Sequence, residues 1–114
     1  MIMNIVKVDE TPVAETPHKV VVRKLFDSED AQIVHITLQP GEELKKHITP
    51  VDVTFYVLEG EGTVLVGEEE ETVGPDTLIE SPKGIVHTWY NRGSETFRVL
   101  VIKTPRPTKG TRTL

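Results

Sequence analysis

Two histidines, His47 and His87, are the residues of this sequence best suited to chemistry. His47 ends a polar segment that begins at Gly41, and His87 follows a Pro-Lys-Gly loop. Imidazole is the commonest metal-ligating side chain and titrates near neutral pH, so it also acts as an acid or a base. Because catalytic zinc sites use three protein ligands, two imidazoles alone predict only weak binding of a divalent ion.

Short β-prone segments separated by glycine and proline must bring the two histidines together. The predicted strands cover 18–26, 31–39, 43–49, 53–58, 63–66, 77–81, 85–90 and 96–103, with a looser edge strand over 1–8. No segment carries the 3.6-residue period of a helix. This pattern predicts an all-β sandwich or jelly-roll barrel. The hairpin partner of 53–58 is expected to be 63–66, and both histidines are expected at the barrel mouth.

Composition and charge narrow the classes of function. The chain has 114 residues, with 13 basic and 18 acidic side chains and a formal net charge of −5. This length suits one domain, and the acidic balance argues against nucleic acid as the main partner. The acidic run 68–71 is predicted to be a solvated turn.

With no cysteine, a metal would need His, Asp, Glu or water. Without a membrane-length apolar run or a signal peptide, we expect a cytoplasmic protein with no membrane partner.

Proline positions divide the chain into three parts. Residues 1–17 contain Pro12 and Pro17, which fix φ and lack an N–H, so this part is predicted to be an N-terminal strand and arm. Residues 18–103 form the predicted barrel. Residues 104–114 have no apolar pattern and form a C-terminal tail, which we expect to be disordered or to lie on a partner chain.

The spacing around His47 matches part of a known motif. Gly41 precedes His47 by six positions, and Gly60 follows thirteen positions after it. This spacing resembles the first motif of the cupin superfamily, which reads Gly, five residues, His-x-His, three or four residues, Glu, six residues, Gly. Thr49 stands at the position of the second histidine, and Val53 stands at the position of the glutamate.

The spacing around His87 resembles the second cupin motif, which reads Gly, five residues, Pro-x-Gly-x-x-His, three residues, Asn. Its last four positions are matched in register by Pro82, Gly84, His87 and Asn91. The leading glycine falls on Asp76, with Gly74 two residues earlier, so we expect that turn to be shifted. The resemblance covers about residues 31–103 and implies a small single-domain cupin, with an RmlC-like jelly-roll barrel (a double-stranded β-helix) of two facing sheets.

The resemblance also implies a ligand set and an assembly. In typical cupins the two His and the Glu of the first motif, with the His of the second, hold one transition metal. This chain keeps His47 and His87, so Mn, Fe, Ni or Zn would need a further ligand, for which Glu80 is the candidate. Small cupins are often homodimers that exchange N-terminal strands, which suits the arm 1–17 as a dimer contact.

Four other polar side chains are placed by their strand parity or by their neighbours in the sequence. Glu80 interrupts an otherwise apolar strand, where an unpaired buried carboxylate is costly, so it is a substitute ligand, a general base or an edge residue facing water. Asp52 is one step from the lost glutamate position and should point to the other face. His35 has the opposite parity to the apolar residues of its strand, so we expect it to be exposed or at a subunit contact. His18 is expected at the surface.

Strand parity predicts which side chains share a pocket with the two histidines. Trp89 has the parity of His87, and Phe55 has that of the lost glutamate position. Together with Thr49, these residues predict a mostly apolar pocket with a few polar groups, which is typical of small-molecule sites.

Three functions fit this pattern. The favoured hypothesis is a small-molecule-binding cupin without strong metal affinity, which recognises a sugar, an acid or another metabolite. The second is a metal-dependent dioxygenase, decarboxylase or isomerase in which Glu80 or water completes the shell around His47 and His87. The third is a metal-free enzyme with a histidine as general acid–base, although no orienting carboxylate is clear in the sequence. The fold does not choose among them.

Overall fold

The computed structural model describes residues 2–114, and these contain ten β-strands and one short 3-10 helix, Val8–Glu10. The strands are β1 (Val21–Asp27), β2 (Gln32–Leu38), β3 (His47–Ile48), β4 (Asp52–Glu59), β5 (Gly62–Val66), β6 (Glu69–Val73), β7 (Leu78–Ser81), β8 (Val86–Tyr90), β9 (Phe97–Thr104) and β10 (Arg112–Thr113). Within residues 2–114, no helix is long and apolar enough to cross a membrane.

The strands form two five-stranded antiparallel sheets. The first sheet has the order β1-β2-β9-β4-β7, and the second has the order β10-β3-β8-β5-β6. The sheets face each other, because the Trp89 ring of the second sheet lies with its centroid 5.4 Å from that of Phe55 and 4.9 Å from that of Phe97 in the first. The expected all-β barrel of two facing sheets is therefore confirmed.

Alternation along the strands builds the core between the two sheets. In β4, Val53, Phe55 and Val57 are buried while the residues between them are half-buried on the other face. The buried apolar set comprises Val34, Ile36, Leu38, Leu44, Val53, Phe55, Val57, Val64, Trp89, Phe97, Val99 and Val101. Burial of each of the larger side chains stabilises the fold by about 1.5–3 kcal/mol relative to exposure.

The glycine turn after β4 carries the chain from one sheet to the other. Strand β5 was expected to pair with β4 as a hairpin, but it pairs with β6 and β8 in the opposite sheet. A Cβ at Gly60, where φ is +76°, would meet the Thr96 carbonyl, and a Cβ at Gly62 would meet the Phe97 ring. Both positions therefore require glycine, because the crossover brings the backbone against β9.

The turn before β7 keeps its place without a glycine. Asp76 stands at the leading position of the second motif and has a φ of +61°. Aspartate tolerates this left-handed conformation better than most residues, and its carboxylate accepts a hydrogen bond from the Tyr56 hydroxyl at 2.9 Å. The sequence suggested that this turn is shifted toward Gly74. Instead, Asp76 itself takes the left-handed conformation at the motif position.

Both ends of the chain differ from the expected pattern. The edge strand predicted over 1–8 is absent in residues 2–8, while Met1 lies outside the described residues. The side chains of Ile2, Met3, Ile5 and Val6 are exposed. The tail was expected to be disordered or on a partner chain. Instead, Thr113 and Arg112 of β10 pair with His47 and Ile48 of β3 in the same chain.

Two further segments were assigned the wrong structure. Glu69, Glu70 and Glu71 were expected in a turn, but they lie in β6, an edge strand whose exposed side chains face water. The strand predicted over 43–49 is reduced to the two residues of β3. The residues that precede His47 instead make isolated backbone hydrogen bonds to neighbouring segments, such as the one from Leu44 N to the Trp89 carbonyl at 3.0 Å.

Candidate functional site

Strands β3 and β8 place His47 and His87 side by side. The two residues are directly opposed in the antiparallel register, so their side chains leave the same face of the second sheet. Their ring centroids lie 4.5 Å apart at an interplanar angle of 77°. Both side chains are buried, with 8% and 2% of their surface exposed. The structure thus brings together the two histidines on which the predicted pocket depends.

Two hydroxyl groups hold the imidazole of His87. Its Nδ1 lies 2.7 Å from Oγ of Ser81, and its Nε2 lies 3.2 Å from Oγ1 of Thr49. A hydroxyl can donate or accept, so both tautomers of the neutral ring are satisfied. Burial, followed by the charges of His47 and Lys103, lowers the pKa of His87 to about 3. The ring is therefore neutral near pH 7 and fixed on both edges.

The backbone of Lys45 sets the hydrogen positions of two other imidazoles. Nδ1 of His47 lies 2.7 Å from the Lys45 carbonyl, which can only accept, so that nitrogen carries the hydrogen and Nε2 keeps its lone pair. Burial lowers the pKa of His47. The Lys45 N–H donates to Nδ1 of His18 at 2.8 Å, so neutral His18 carries its hydrogen on Nε2. One ring thus offers an acceptor and the other a donor.

His18 belongs to the site, contrary to the expectation that it lies at the surface. Its ring centroid is 4.9 Å from that of His47, and it is half-buried at the end of the N-terminal arm. Burial, followed by the charges of His47 and Lys45, lowers its pKa to about 4. The hydrogen bond from Lys45 explains the position, because it ties the arm to the segment before β3.

A cavity of about 390 Å³ opens beside these rings. The three histidines and Thr49 form its polar wall, while Val34, Phe55 and Val101 contribute to its apolar wall. Residues 14–17 of the arm, together with Thr111 and Thr113 of the tail, line the same space. The volume and the mixed lining match those of small-molecule sites, which usually enclose about 300–1,000 Å³.

Phe55 and Trp89, both predicted to line the pocket, have different positions. Phe55 lies beside the cavity with its ring centroid 5.3 Å from that of His87, in an edge-to-face arrangement. Trp89 is fully buried between Phe55 and Phe97 and does not line the cavity. Parity placed Trp89 on the correct face, but it lies two residues deeper in the barrel than His87, where the sheets pack closely.

Glu80 does not approach the histidines. It is exposed on β7 and directly opposes Thr54 of β4, on the face of the first sheet that points away from the barrel. Strand alternation instead directs its neighbour Ser81 inward to His87. The candidate third metal ligand is therefore an edge residue facing water, one of the alternatives that the sequence left open. Asp52 is exposed, as expected, and accepts a hydrogen bond from Lys83 N at 2.9 Å.

His35 was expected to be exposed or at a subunit contact, but only 1% of its surface is exposed within the chain. Nε of Arg98 donates to its Nε2 at 3.2 Å, so the hydrogen of neutral His35 is on Nδ1. That Nδ1 and Nε of the opposing Arg23 are buried without a hydrogen-bonding partner among residues 2–114. The His35 side chain points away from the core, and it is buried because arginine side chains on the two neighbouring strands cover it.

The donor set does not fit the usual cupin metal. Thr49 and Val53 stand where a histidine and a glutamate would bind it, and both nitrogens of His87 already face hydroxyl groups. In the part of the chain from 2 to 114, no three His, Cys, Asp or Glu side chains are grouped as metal ligands. Tight binding of a transition metal would require His87 to give up a hydrogen bond and a further ligand to enter.

Two residues near the site, Ser81 and Lys103, were not predicted from the sequence. Ser81 and Lys103 both point inward, and Lys103 opposes Val53 of β4 and Gln32 of β2. The signal was present, because Lys103 continues the inward alternation of Val99 and Val101. Because Lys103 is charged and directly precedes the proline-rich tail, the sequence suggested the exposed end of a strand rather than a side chain in the barrel.

The cupin domain family is matched by residues 34–103. The chain belongs to the cupin family. This cupin is 30% identical over 90 residues to the uncharacterized protein MJ0764 of Methanocaldococcus jannaschii, with 78% of each chain covered. It superposes on the protein TT1209 of Thermus thermophilus with a TM-score of 0.79 and 32% identity, over 92% of this chain and all of the other.

A third comparison extends the likeness in fold. The polyketide cyclase RemF of Streptomyces resistomycificus superposes on this cupin with a TM-score of 0.84, over 99% of this chain and 86% of RemF. The identity is 22%, so this likeness concerns the barrel alone.

Proposed function

We propose that this cupin binds a small organic molecule in the cavity beside His18, His47 and His87, and that binding does not depend on a metal. The cavity carries this proposal, because it joins an apolar wall to imidazoles whose hydrogen positions are fixed. Fixed donors and acceptors orient a ligand without the entropy loss that mobile side chains suffer on binding.

The wall offers distinct groups to a ligand. Nε2 of neutral His18 offers a hydrogen, Nε2 of His47 offers a lone pair, and Thr49 offers a hydroxyl that is shared with His87. Phe55 presents an aromatic surface next to them. This combination suits a molecule of modest size with one polar end and one apolar end.

A screen of small organic molecules by saturation-transfer NMR tests the proposal. Protein treated with EDTA is screened first, and the bound molecules are tested again with His47→Gln, Phe55→Leu and Glu80→Gln. We expect several molecules to bind the metal-free protein, to bind more weakly to the first two variants and to bind equally to Glu80→Gln. That last residue lies on the far face of β7 and serves as the control.

The metal-dependent alternative gives a different result in the same experiment. A dioxygenase, decarboxylase or isomerase of the cupin type would bind its ligand only after addition of Mn, Fe, Ni or Zn, and EDTA would abolish the signal. Failure of every molecule to bind, with or without metal, would contradict a ligand site of either kind.

We also propose that the chain forms a homodimer. Ile2, Met3, Ile5 and Val6 of the arm are exposed, and isolated chains rarely leave such a run of apolar side chains in water. Sedimentation equilibrium tests this proposal, and a strict monomer would contradict it.

A further inference from the structure

One charged side chain enters the cavity from the first sheet. Strand β9 directs Val99 and Val101 into the barrel, and Lys103 continues the same alternation two residues later. Its neighbours across the sheet are Gln32 on β2 and Val53 on β4, so it is flanked on both sides and half-buried. Lys103 lines the cavity together with the histidines.

Lys103 lacks a counter-charge. None of the ion pairs formed within residues 2–114 includes its Nζ. The cavity lining contains a second lysine, Lys24, whose Nζ lies 3.8 Å from Asp27, and one carboxylate, Glu15, which is exposed on the arm. With the histidines neutral, the lining therefore carries an excess of positive charge in a protein whose net charge is −5.

The charge of Lys103 affects the whole polar wall. It contributes to the lowered pKa values of His18, His47 and His87, so it acts on all three imidazoles. Burial, followed by the charge of Lys24, also lowers the pKa of Lys103 itself. A partly buried ammonium without a counter-charge is unfavourable, and an anion placed beside it removes that penalty.

On the basis of the proposed function, we infer that the ligand of this cupin is a small carboxylate. Its charged end binds Nζ of Lys103, and its apolar part packs on Phe55 and Val101. A single unpaired ammonium among neutral imidazoles balances one negative charge. A phosphate dianion is better served by several cations or by the paired donors of arginine, and the cavity lining contains no arginine.

Three probes of similar shape test the charge preference. Benzoate, benzamide and benzylammonium are titrated into 15N-labelled protein, and binding is followed through the imidazole 15N shifts of His47 and His87. The variants are Lys103→Met, Lys103→Gln and the control Lys83→Met, which changes an exposed lysine of the loop before β8. Thermal unfolding of each variant establishes that it is folded.

We expect benzoate to bind about tenfold more tightly than benzamide, and benzylammonium to bind most weakly, because the ion pair with Lys103 is replaced by a hydrogen bond to a neutral amide or by repulsion. Lys103→Met and Lys103→Gln should each weaken binding of benzoate by at least about tenfold and weaken binding of benzamide much less, because only benzoate loses an ion pair. Lys83→Met should bind all three probes like the original protein.

The outcomes separate this inference from the proposed function. Equal affinities for benzoate and benzamide, or benzoate binding that survives both Lys103 substitutions, would overturn the carboxylate inference. If other molecules of the NMR screen bind the cavity and benzoate does not, the inference is also overturned, while small-molecule binding stands. If neither the probes nor the screen perturb the imidazoles, the proposed function itself fails.

Discussion

Oγ of Ser81 lies 2.7 Å from Nδ1 of His87, and this hydrogen bond joins the two sheets inside the barrel. Ser81 belongs to β7 at the edge of the first sheet, whereas His87 belongs to β8 in the middle of the second. Thr49 holds the opposite nitrogen of the same ring at 3.2 Å. The arrangement fixes one imidazole at the cavity wall, and it occupies the nitrogen lone pair that a metal would need.

Ser81→Ala should destabilise the protein by about 1–2 kcal/mol, because the substitution leaves a buried ring nitrogen without a partner. Glu80→Gln, one residue earlier on the exposed face, should change stability by less than about 0.5 kcal/mol. Urea unfolding of both variants measures the difference. Equal effects would show that the hydrogen bond between the sheets contributes nothing to stability.

Thr49→His should create a metal site. The substitution restores the second histidine of the first motif and frees Nε2 of His87 from its hydroxyl partner. It therefore supplies the three imidazoles that a zinc or nickel ion requires. We expect affinity for Zn²⁺ to rise at least about tenfold by isothermal titration.

The control for that variant is Ile48→His, which adds an imidazole one residue away on the other face of β3. It should leave metal affinity unchanged. Tight binding by the unmodified protein would instead show that its own donor set is sufficient.

Acid should destabilise the protein before its carboxylates titrate. The pKa of His87 is about 3 in the folded chain, against an ordinary value of 6.5. Between these values the unfolded chain binds a proton that the folded chain does not, so the free energy of unfolding falls as the pH falls below 6.5. One such group contributes a slope of about 1.4 kcal/mol per pH unit.

Urea unfolding between about pH 6.5 and pH 5 measures this slope. His18 and His35, whose pKa values burial also lowers to about 4, add to it. His87→Gln should reduce the slope by about the contribution of one proton, roughly 1.4 kcal/mol per pH unit. An unchanged slope in this variant would mean that His87 is already protonated in the folded state.

Gly60→Ala should be far more harmful than Gly41→Ala. Both glycines have positive φ, at +76° and +87°. A Cβ at Gly60 would meet the Thr96 carbonyl, whereas a Cβ at Gly41 has open space around it. We expect losses of about 3 kcal/mol and about 1 kcal/mol, because only the first adds a clash to the backbone strain. Thermal unfolding of the two variants tests the crossover between sheets, and equal losses would contradict it.

The sequence was sufficient for the barrel and for the pairing of the two histidines. Alternation of apolar residues marks the inward faces of β2, β4 and β9, and both motif histidines lie where the motifs place them. These features are local or follow from fixed spacings, so a single sequence reveals them. The predicted pairing of β5 with β4 was wrong, because the same glycine sequence can join two strands of one sheet or strands of two different sheets.

Other parts of the site depend on contacts between distant segments. His18 lies near a proline in a weakly patterned arm, and only the hydrogen bond from Lys45 reveals its place. Burial of His35 depends on arginine side chains from two neighbouring strands, which parity does not register. Trp89 has the parity of the cavity residues, but it lies deeper along the barrel and therefore packs in the core against Phe97.

Crystals soaked with a set of small organic molecules test the cavity most directly. We expect bound molecules to appear between Phe55 and the three imidazoles of His18, His47 and His87, with no metal peak between the rings. Molecules bound only elsewhere on the barrel, with this cavity left to water in every soaked crystal, would contradict a ligand site beside these histidines.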